Sequence, residues 1–429
     1  MAQEKKYWDP EMETMPLDKL RKLQEERLQE LVAWAYERTT FYRRKFDEAG
    51  IKPSDINTLD DMEKIPLTKD SEIRQAPMEE KLAVPWEDVK RFCSSSGTTG
   101  FPEIIPFMRS DFDVGCVGNL VRAKWAIGMR PGDVVLNLVG YPCQTKVNEV
   151  LGATVFGEQI GRGNLDYQIA LANMMNVTVL EQMPSLLLRY FDRAKELGVD
   201  IKNSALRLIV AYGEGWAESY KRKVGADYGV TFGSLYGSSQ VAELAYECEQ
   251  FTGYHIVGDC CIAEVINPET EKTLDPGEEG ELVATNFFRK AVPRIRVMMS
   301  DVTSILPYET CACGRTHPKI GGIRGRMAQR IKLNGKMLFP IDIEEVIGSI
   351  PDLGYEYQII KDKPDELDRL KVKVEPRLGL KDLKALKTQT EEAFHRALGV
   401  DSEVEIVPEG SLGHALFKAQ RVITTYDKV

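Results

Sequence analysis

From residue 165 to residue 235, helical and strand-like apolar patterns alternate. Segments 165–175 and 184–197 read as helices, and 177–180, 206–212 and 229–235 as strands. Such alternation favours α/β layering over an all-β design. Strand 206–212 runs into Gly213-Glu214-Gly215-Trp216, and strand 229–235 into Tyr236-Gly237-Ser238-Ser239-Gln240. Ligands in open α/β sheets sit beyond the carboxyl ends of strands, which places both turns beside one crevice. Upstream, Pro131-Gly132-Asp133 turns into a buried-strand pattern at 134–139. Downstream lies a β-rich stretch with turns at Asn267-Pro268 and Asp275-Pro276-Gly277. A boundary near Gly325-Arg326 opens a smaller α/β unit, with helices at 341–349 and 381–398 and strands at 370–375 and 403–407.

The 429 residues suffice for a large domain plus a small one. A net charge of −10 argues against a nucleic-acid-binding surface. The opening Met-Ala-Gln-Glu-Lys-Lys-Tyr-Trp has no apolar signal core, and no run is long enough to cross a bilayer, so a cytoplasmic protein is expected. Leu17, Leu20, Leu23, Leu28, Leu31, Val32 and Ala35 recur near helical spacing and predict an amphipathic N-terminal helix. Eight cysteines in a chain this long make no disulfide scaffold. Cys93, Cys116, Cys143, Cys260 and Cys261 read as plain core or surface residues.

Ser94-Ser95-Ser96-Gly97-Thr98-Thr99-Gly100 packs no core, because all seven side chains are small. Its glycines permit close backbone approach, and its hydroxyls and N–H groups suit phosphate oxygens. No Lys-Ser or Lys-Thr follows as in a Walker loop. Read alone, the run fits either a phosphate cradle or a flexible linker.

Ser-Ser-Gly-Thr-Thr-Gly-x-Pro resembles the phosphate loop of the adenylate-forming superfamily, the acyl-CoA synthetases and their relatives. Tyr7-Trp8-Asp9-Pro10, Phe41-Tyr42-Arg43 and the stretch from Leu59 to Asp70 resemble the N-terminus of its phenylacetate-CoA ligase-like branch. The resemblance implies a large N-terminal adenylation domain, 1–325, and a small mobile α/β lid, 326–429. It implies an AMP-forming acid-thiol ligase that converts an aromatic or related acid to acyl-AMP and then acyl-CoA, using ATP, Mg²⁺ and CoA. A homodimer is expected on the same ground. Phe417-Lys418-Ala419-Gln420-Arg421-Val422 aligns with the family's C-terminal lysine motif, making Lys418 the adenylation lysine. Ser95, Ser96, Gly97, Thr98, Thr99 and Gly100 then hold phosphate, and Asp301 and Arg326 hold the ribose. Gly213 and Glu214 form the adenine-side turn, Tyr236 stacks on adenine beside the acid, and Gly237, Ser238 and Ser239 complete the ATP site. Tyr141 is a candidate wall of the acid pocket.

Cys248, His255, Cys311 and Cys313 form a separate set. Three thiols and an imidazole suit a closed tetrahedral zinc, and Cys-x-Cys-Gly resembles the metal-bearing members of that branch; free buried thiols are the alternative. Several positions depart from the family pattern. Phe101 replaces a phosphate-loop lysine, Gln240 a Mg²⁺-holding glutamate, and Ala328 the hinge aspartate. Met298 stands where an arginine is common, and Ser300 stands at the glycine of Thr-Gly-Asp. The segment from Gly140 to Thr154 is also shorter than usual. Phe101, Gln240 and Ala328 keep open a silent nucleotide- or acyl-binding homologue, and the absence of a readable CoA signature keeps open an adenylating enzyme without a CoA step.

Overall fold

The computed structural model describes residues 5–94, 103–138, 142–156, 164–377, 379–413 and 420–426. The chain divides into two compact units. One comprises 1–133, 140–155 and 233–322, and the other 134–139, 156–232 and 323–429.

The first unit opens with helices Leu17–Arg38 and Thr40–Glu48. Leu20, Leu28, Leu31, Val32 and Ala35 are buried as their spacing requires, whereas Leu17 at the first turn is exposed. Leu28, Leu31, Val32 and Ala35, with Phe41, Tyr42 and Phe46, share a core with Ile262, Phe287, Ile295 and Val297. The last four come from the β-rich stretch, where antiparallel strands Cys261–Ile266, Glu279–Asn286 and Arg294–Ser304 lie side by side. A second antiparallel set contains Thr231–Ser238, Ala242–Tyr246, Tyr254–Ile256 and Lys319–Ile320. Helices Asn119–Ile127 and Pro142–Val150 complete the unit.

The second unit is built around parallel strands Val134–Asn137, Val179–Gln182 and Leu208–Tyr212, paired in that order. Helices Leu165–Met174, Pro184–Glu196 and Glu218–Tyr228 alternate with them, so the predicted α/β layering is observed. The C-terminal elements match their predicted positions: helix Pro340–Gly348, strand Leu370–Pro376, helix Leu383–Leu398 and strand Ser402–Ile406. Strands Ser402–Ile406, Leu370–Pro376, Leu353–Lys361 and Val422–Thr424 form one sheet in that order. Its central pair is antiparallel and its outer pairs parallel. Tyr220, Ile347, Val372 and Phe394 belong to one core, so residues after 325 share apolar packing with the parallel-strand region.

The strand expected at 229–235 differs in extent. It runs from Thr231 to Ser238, so Tyr236, Gly237 and Ser238 are paired residues and the turn begins at Ser239. The cause is a hairpin: Tyr236 pairs with Ala245 and Ser238 with Ala242. Gly237 fits because an added Cβ would lie 2.8 Å from Glu243 Cα, too close for any side chain.

Candidate functional site

Tyr236 is brought by this hairpin to the edge of strand Arg294–Ser304. Its hydroxyl donates to Asp301 Oδ2 at 2.7 Å. Asp301 reaches that position through a bulge. Glu281 pairs with Val302 and Val283 with Met298, leaving Met299, Ser300 and Asp301 opposite one residue. Ser300 takes the left-handed conformation, with φ +59°, and its N–H donates to Glu281 Oε1 at 3.0 Å. A glycine adopts such a conformation with less strain.

The turn after Ser238 is closed by its own hydroxyl, which accepts from Gln240 N at 3.2 Å and Val241 N at 3.4 Å. Arg289 Nη2 donates to Ser239 O at 2.9 Å. Gln240 is buried; its amide Nε2 donates to Asp70 Oδ1, and its Oε1 has no hydrogen-bond partner. Asp70 also pairs with Arg74 at 2.6 Å. The small-residue run begins at a defined place: Ser94 pairs with Ile104 in the hairpin Arg91–Ser94/Ile104–Phe107. Beside it, Glu103 forms a buried 2.7 Å pair with Arg294, whose Nε donates to Gln240 O at 3.3 Å. The positions 95–100 themselves, with Phe101, Tyr141 and Lys418, lie outside the described residues.

In the second unit, Gly213 turns the chain out of strand Leu208–Tyr212 with φ +85°. The Glu214 carboxylate accepts from Ser185 N at 2.9 Å and Ser185 Oγ at 3.0 Å. It thereby caps helix Pro184–Glu196, whose own N-cap residue, Met183, supplies no side-chain bond. Arg326 is exposed, and its N–H donates to Gln329 Oε1 at 3.1 Å, closing the turn Met327–Gln329 around Ala328. Near Lys418 in sequence, Arg421 is anchored to Glu356 at 2.6 Å, with its guanidinium 4.5 Å from the Tyr357 ring centroid.

The first unit also gathers Cys248, His255, Cys311 and Cys313. All four are buried, and their ligand atoms lie within 4.8 Å of one another. Cys248 Sγ is 3.8 Å from Cys311 Sγ, and Cys313 Sγ is 3.4 Å from His255 Nε2. A tetrahedron with metal–sulfur bonds of about 2.3 Å has edges of about 3.8 Å, so these spacings suit a shared metal. His255 Nδ1 faces the His317 carbonyl at 3.3 Å, which holds its hydrogen there and turns the Nε2 lone pair toward the thiols. The Cys313 thiol is held below its ordinary range, chiefly by a hydrogen bond from Cys248, with the Arg315 N–H adding to it. That favours the thiolate a metal binds. Arg315 itself pairs with Glu13 at 2.7 Å, both buried, and Tyr7 Oη donates to Cys313 O at 3.0 Å.

The sequence profile of the AMP-binding enzyme family matches residues 18–286, and that of the AMP-binding enzyme C-terminal domain matches 335–425. The chain belongs to the AMP-binding enzyme family. Within it, the chain is 36% identical over 377 residues to phenylacetate-coenzyme A ligase of Thermus thermophilus, covering 86% of this chain and 84% of that one. It is 32% identical to the Escherichia coli phenylacetate-coenzyme A ligase over 96% of each chain. Among solved structures, a 2-hydroxyisobutyryl-CoA ligase in its postadenylation state matches with a TM-score of 0.90 and 25% identity, over 99% of this chain and 93% of that one.

For an AMP-binding enzyme, the described geometry brings Tyr236 and Asp301 together beside the Ser238–Gln240 turn. Asp70, Glu103, Arg294 and Ser185 escape sequence reasoning. Each acts on a residue distant in the chain, and no local motif announces such a partner. Among the described residues, no helix is long and apolar enough to cross a membrane.

Proposed function

We infer that this chain is an AMP-forming acid–CoA ligase. Carboxylate and ATP give acyl-AMP and pyrophosphate; acyl-AMP and CoA then give acyl-CoA and AMP. The observation that carries the reading is the agreement of relatives: the Thermus protein, 36% identical over most of both chains, is a phenylacetate-CoA ligase. An aromatic acid is the corresponding expectation for the substrate's skeleton.

In this reading Lys418 neutralises the charge that develops as carboxylate and α-phosphate meet, and Ser95 through Gly100 cradle the phosphates. Asp301 accepts the ribose hydroxyls in an orientation held by Tyr236. Arg326 steadies the ribose from the start of the C-terminal segment. The segment 326–429 serves as the lid, supported by the separate C-terminal profile at 335–425. The unpartnered, buried Gln240 Oε1 fits Mg²⁺ as an oxygen donor. Mg²⁺ would supply phosphate neutralisation. The Cys248, His255, Cys311 and Cys313 set fits a structural Zn²⁺, which would tie the chain around 248–255 to that around 311–313. A homodimer belongs to the proposal through family resemblance, and a cytoplasmic setting through the sequence reading above.

Exchange of labelled pyrophosphate into ATP, measured over a panel of acids, tests the first half-reaction. Exchange with an acid, followed by thioester formation when CoA is added, is the expected result. Lys418→Ala should reduce exchange by about 10²–10³-fold in a folded protein. Exchange without thioester would reduce the protein to an adenylating enzyme, and ATP binding without exchange would make it a silent homologue.

A further inference from the structure

A polar cluster that the reaction above leaves unused lies behind the Tyr236 strand. Glu243 sits directly opposite Gly237 in the hairpin, one strand away from the Tyr236–Asp301 pair. Strand Ala242–Tyr246 packs against the π-helix Asp111–Gly118 and helix Asn119–Ile127, and helix Pro142–Val150 packs against both of those helices. They bring Lys124 and Asn148 into the same region as Glu243, and Gln144 lies one turn before Asn148 on the same helix. Lys124 Nζ donates to Asn148 Oδ1 at 2.8 Å, and both residues are fully buried. The charges of Arg289 and Lys124 act on the Glu243 carboxyl. Glu243 in turn acts on the thiols of Cys93, Cys116 and Cys143.

The cluster is not satisfied from within. Gln144 Oε1, Asn148 Nδ2, and Arg289 Nε and Nη1 have no hydrogen-bond partner, in residues only 2%, 0% and 4% exposed. Each such orphan destabilises the fold unless something fills it. Glu243 and Cys143 are half-buried. In sequence, the cluster adjoins three stretches assigned to the reaction. Cys93 directly precedes the small-residue run, Cys143 follows Tyr141 by two positions, and Glu243 follows Gln240 by three.

A metal does not suit this place. Among the described residues, the side chains close enough to share one are Cys248, His255, Cys311 and Cys313, none of them in this cluster. An aliphatic ammonium does not suit it either, because Arg289 and Lys124 already place two cations there. An unsubstituted phenyl ring would leave every orphan unpaired. A hydroxyl both donates, to Glu243 or Gln144 Oε1, and accepts, from Asn148 Nδ2 or Arg289.

Resting on the ligase reading above, we propose that the activated acid is a hydroxy acid, and that Glu243 and Gln144 recognise its hydroxyl. Sites built to hydrogen-bond a hydroxyl reject the analogue lacking it by large factors, up to about 10⁴–10⁵. Because Glu243 is half-buried, about 10²-fold is expected here.

The test is pyrophosphate exchange with matched acids: phenylacetate against its ring-hydroxylated forms, and butyrate against hydroxybutyrates and aminobutyrates. Wild type should favour a hydroxylated member by about 100-fold in kcat/KM and reject the aminobutyrates. Glu243→Ala and Gln144→Met should each shrink that gap by about tenfold or more, with thermal midpoints showing folded protein. Equal or better exchange with the unsubstituted acids would overturn the proposal and leave the ligase reading intact. Variants that retain the full hydroxyl preference would also overturn it. No exchange with any acid would remove both.

Discussion

Tyr236 Oη donates a 2.7 Å hydrogen bond to Asp301 Oδ2, joining residues 65 positions apart. Hydrogen bonds to charged groups contribute about 1.5–3 kcal/mol, less when one partner is partly solvated, as Asp301 is. Tyr236→Phe keeps the ring but releases the carboxylate from its fixed orientation. The expected outcome is a loss of about tenfold in kcat/KM for ATP, with the thermal midpoint nearly unchanged. Pyrophosphate exchange at varied ATP reads it, and an unaltered kcat/KM would separate Asp301 from Tyr236 functionally.

Ser300 holds Asp301 in place at a backbone cost. Its φ of +59° is one that non-glycine residues adopt with strain. Ser300→Gly relieves the strain while enlarging the unfolded ensemble, so stability should change by less than about 1 kcal/mol and adenylation should persist. Ser300→Val adds β-branching at positive φ and should cost about 1–2 kcal/mol and weaken ATP use. Denaturant titration of the two variants distinguishes strain at the bulge from a requirement for the serine hydroxyl.

Gln240 and Asp70 explain each other. The Gln240 amide donates to the Asp70 carboxylate, so a glutamate at 240 would place two carboxylates in contact. Gln240→Glu alone should therefore lose about 1–2 kcal/mol of stability and gain no turnover. Combined with Asp70→Asn, which supplies an amide in return, stability should recover. A double-mutant cycle on thermal or urea midpoints measures the coupling. Additive effects of the two changes would show that Asp70 does not dictate the amide at 240.

Helices Leu165–Met174 and Pro184–Glu196 and the parallel strands of the second unit were legible because apolar periodicity is a local signal; helix Glu218–Tyr228 was not read. Strand Leu208–Tyr212 is buried at every position, and helix Pro184–Glu196 begins at its proline. The cysteine–histidine set was legible from residue type together with the Cys-x-Cys-Gly resemblance, and the structure brings its four side chains together. The extent of strand Thr231–Ser238 was not, because Tyr236 through Ser238 owe their extended state to pairing with Ala242–Tyr246 across a turn. Nor was the cap that Glu214 gives Ser185. Read in its turn, Glu214 is a ligand-facing acid, yet its carboxylate binds Ser185, 29 residues earlier, and closes the start of that helix. Glu243 carried no motif, and its significance lies in neighbours on three other elements.

The four-residue cluster should carry one zinc per chain in purified protein, measured by elemental analysis. Cys311→Ser removes a ligand and leaves buried thiols without a shared cation. Loss of the metal and at least about 2 kcal/mol of stability are expected. Prolonged chelation of the wild type should lower its thermal midpoint in the same way. Metal-free protein of undiminished stability would rule the zinc out.

Glu344 gives the fold a pH dependence of definite sign. Its Oε1 accepts from Ala217 N at 2.9 Å, and its Oε2 lies 3.1 Å from Tyr357 Oη, which is 3.2 Å from Pro340 O. Tyr357 has one hydrogen. If Glu344 is protonated it donates to Tyr357, and Tyr357 donates to Pro340 O, so every group is satisfied. Burial pushes the Glu344 carboxyl up to about 7, from 4.5. A folded-state value above the unfolded one means that the native state holds the extra proton between those limits. The associated stability is complete below about pH 4.5 and is lost as pH rises through about 7, by up to roughly 3 kcal/mol. Glu344→Gln imitates the protonated form: its oxygen accepts from Ala217 and its amide donates to Tyr357. The variant should match wild type near pH 5, exceed it at pH 8, and show a flatter profile of thermal midpoint between them. A wild-type midpoint that Glu344→Gln lowers equally at both pH values would show that the carboxyl is ionised in the native protein.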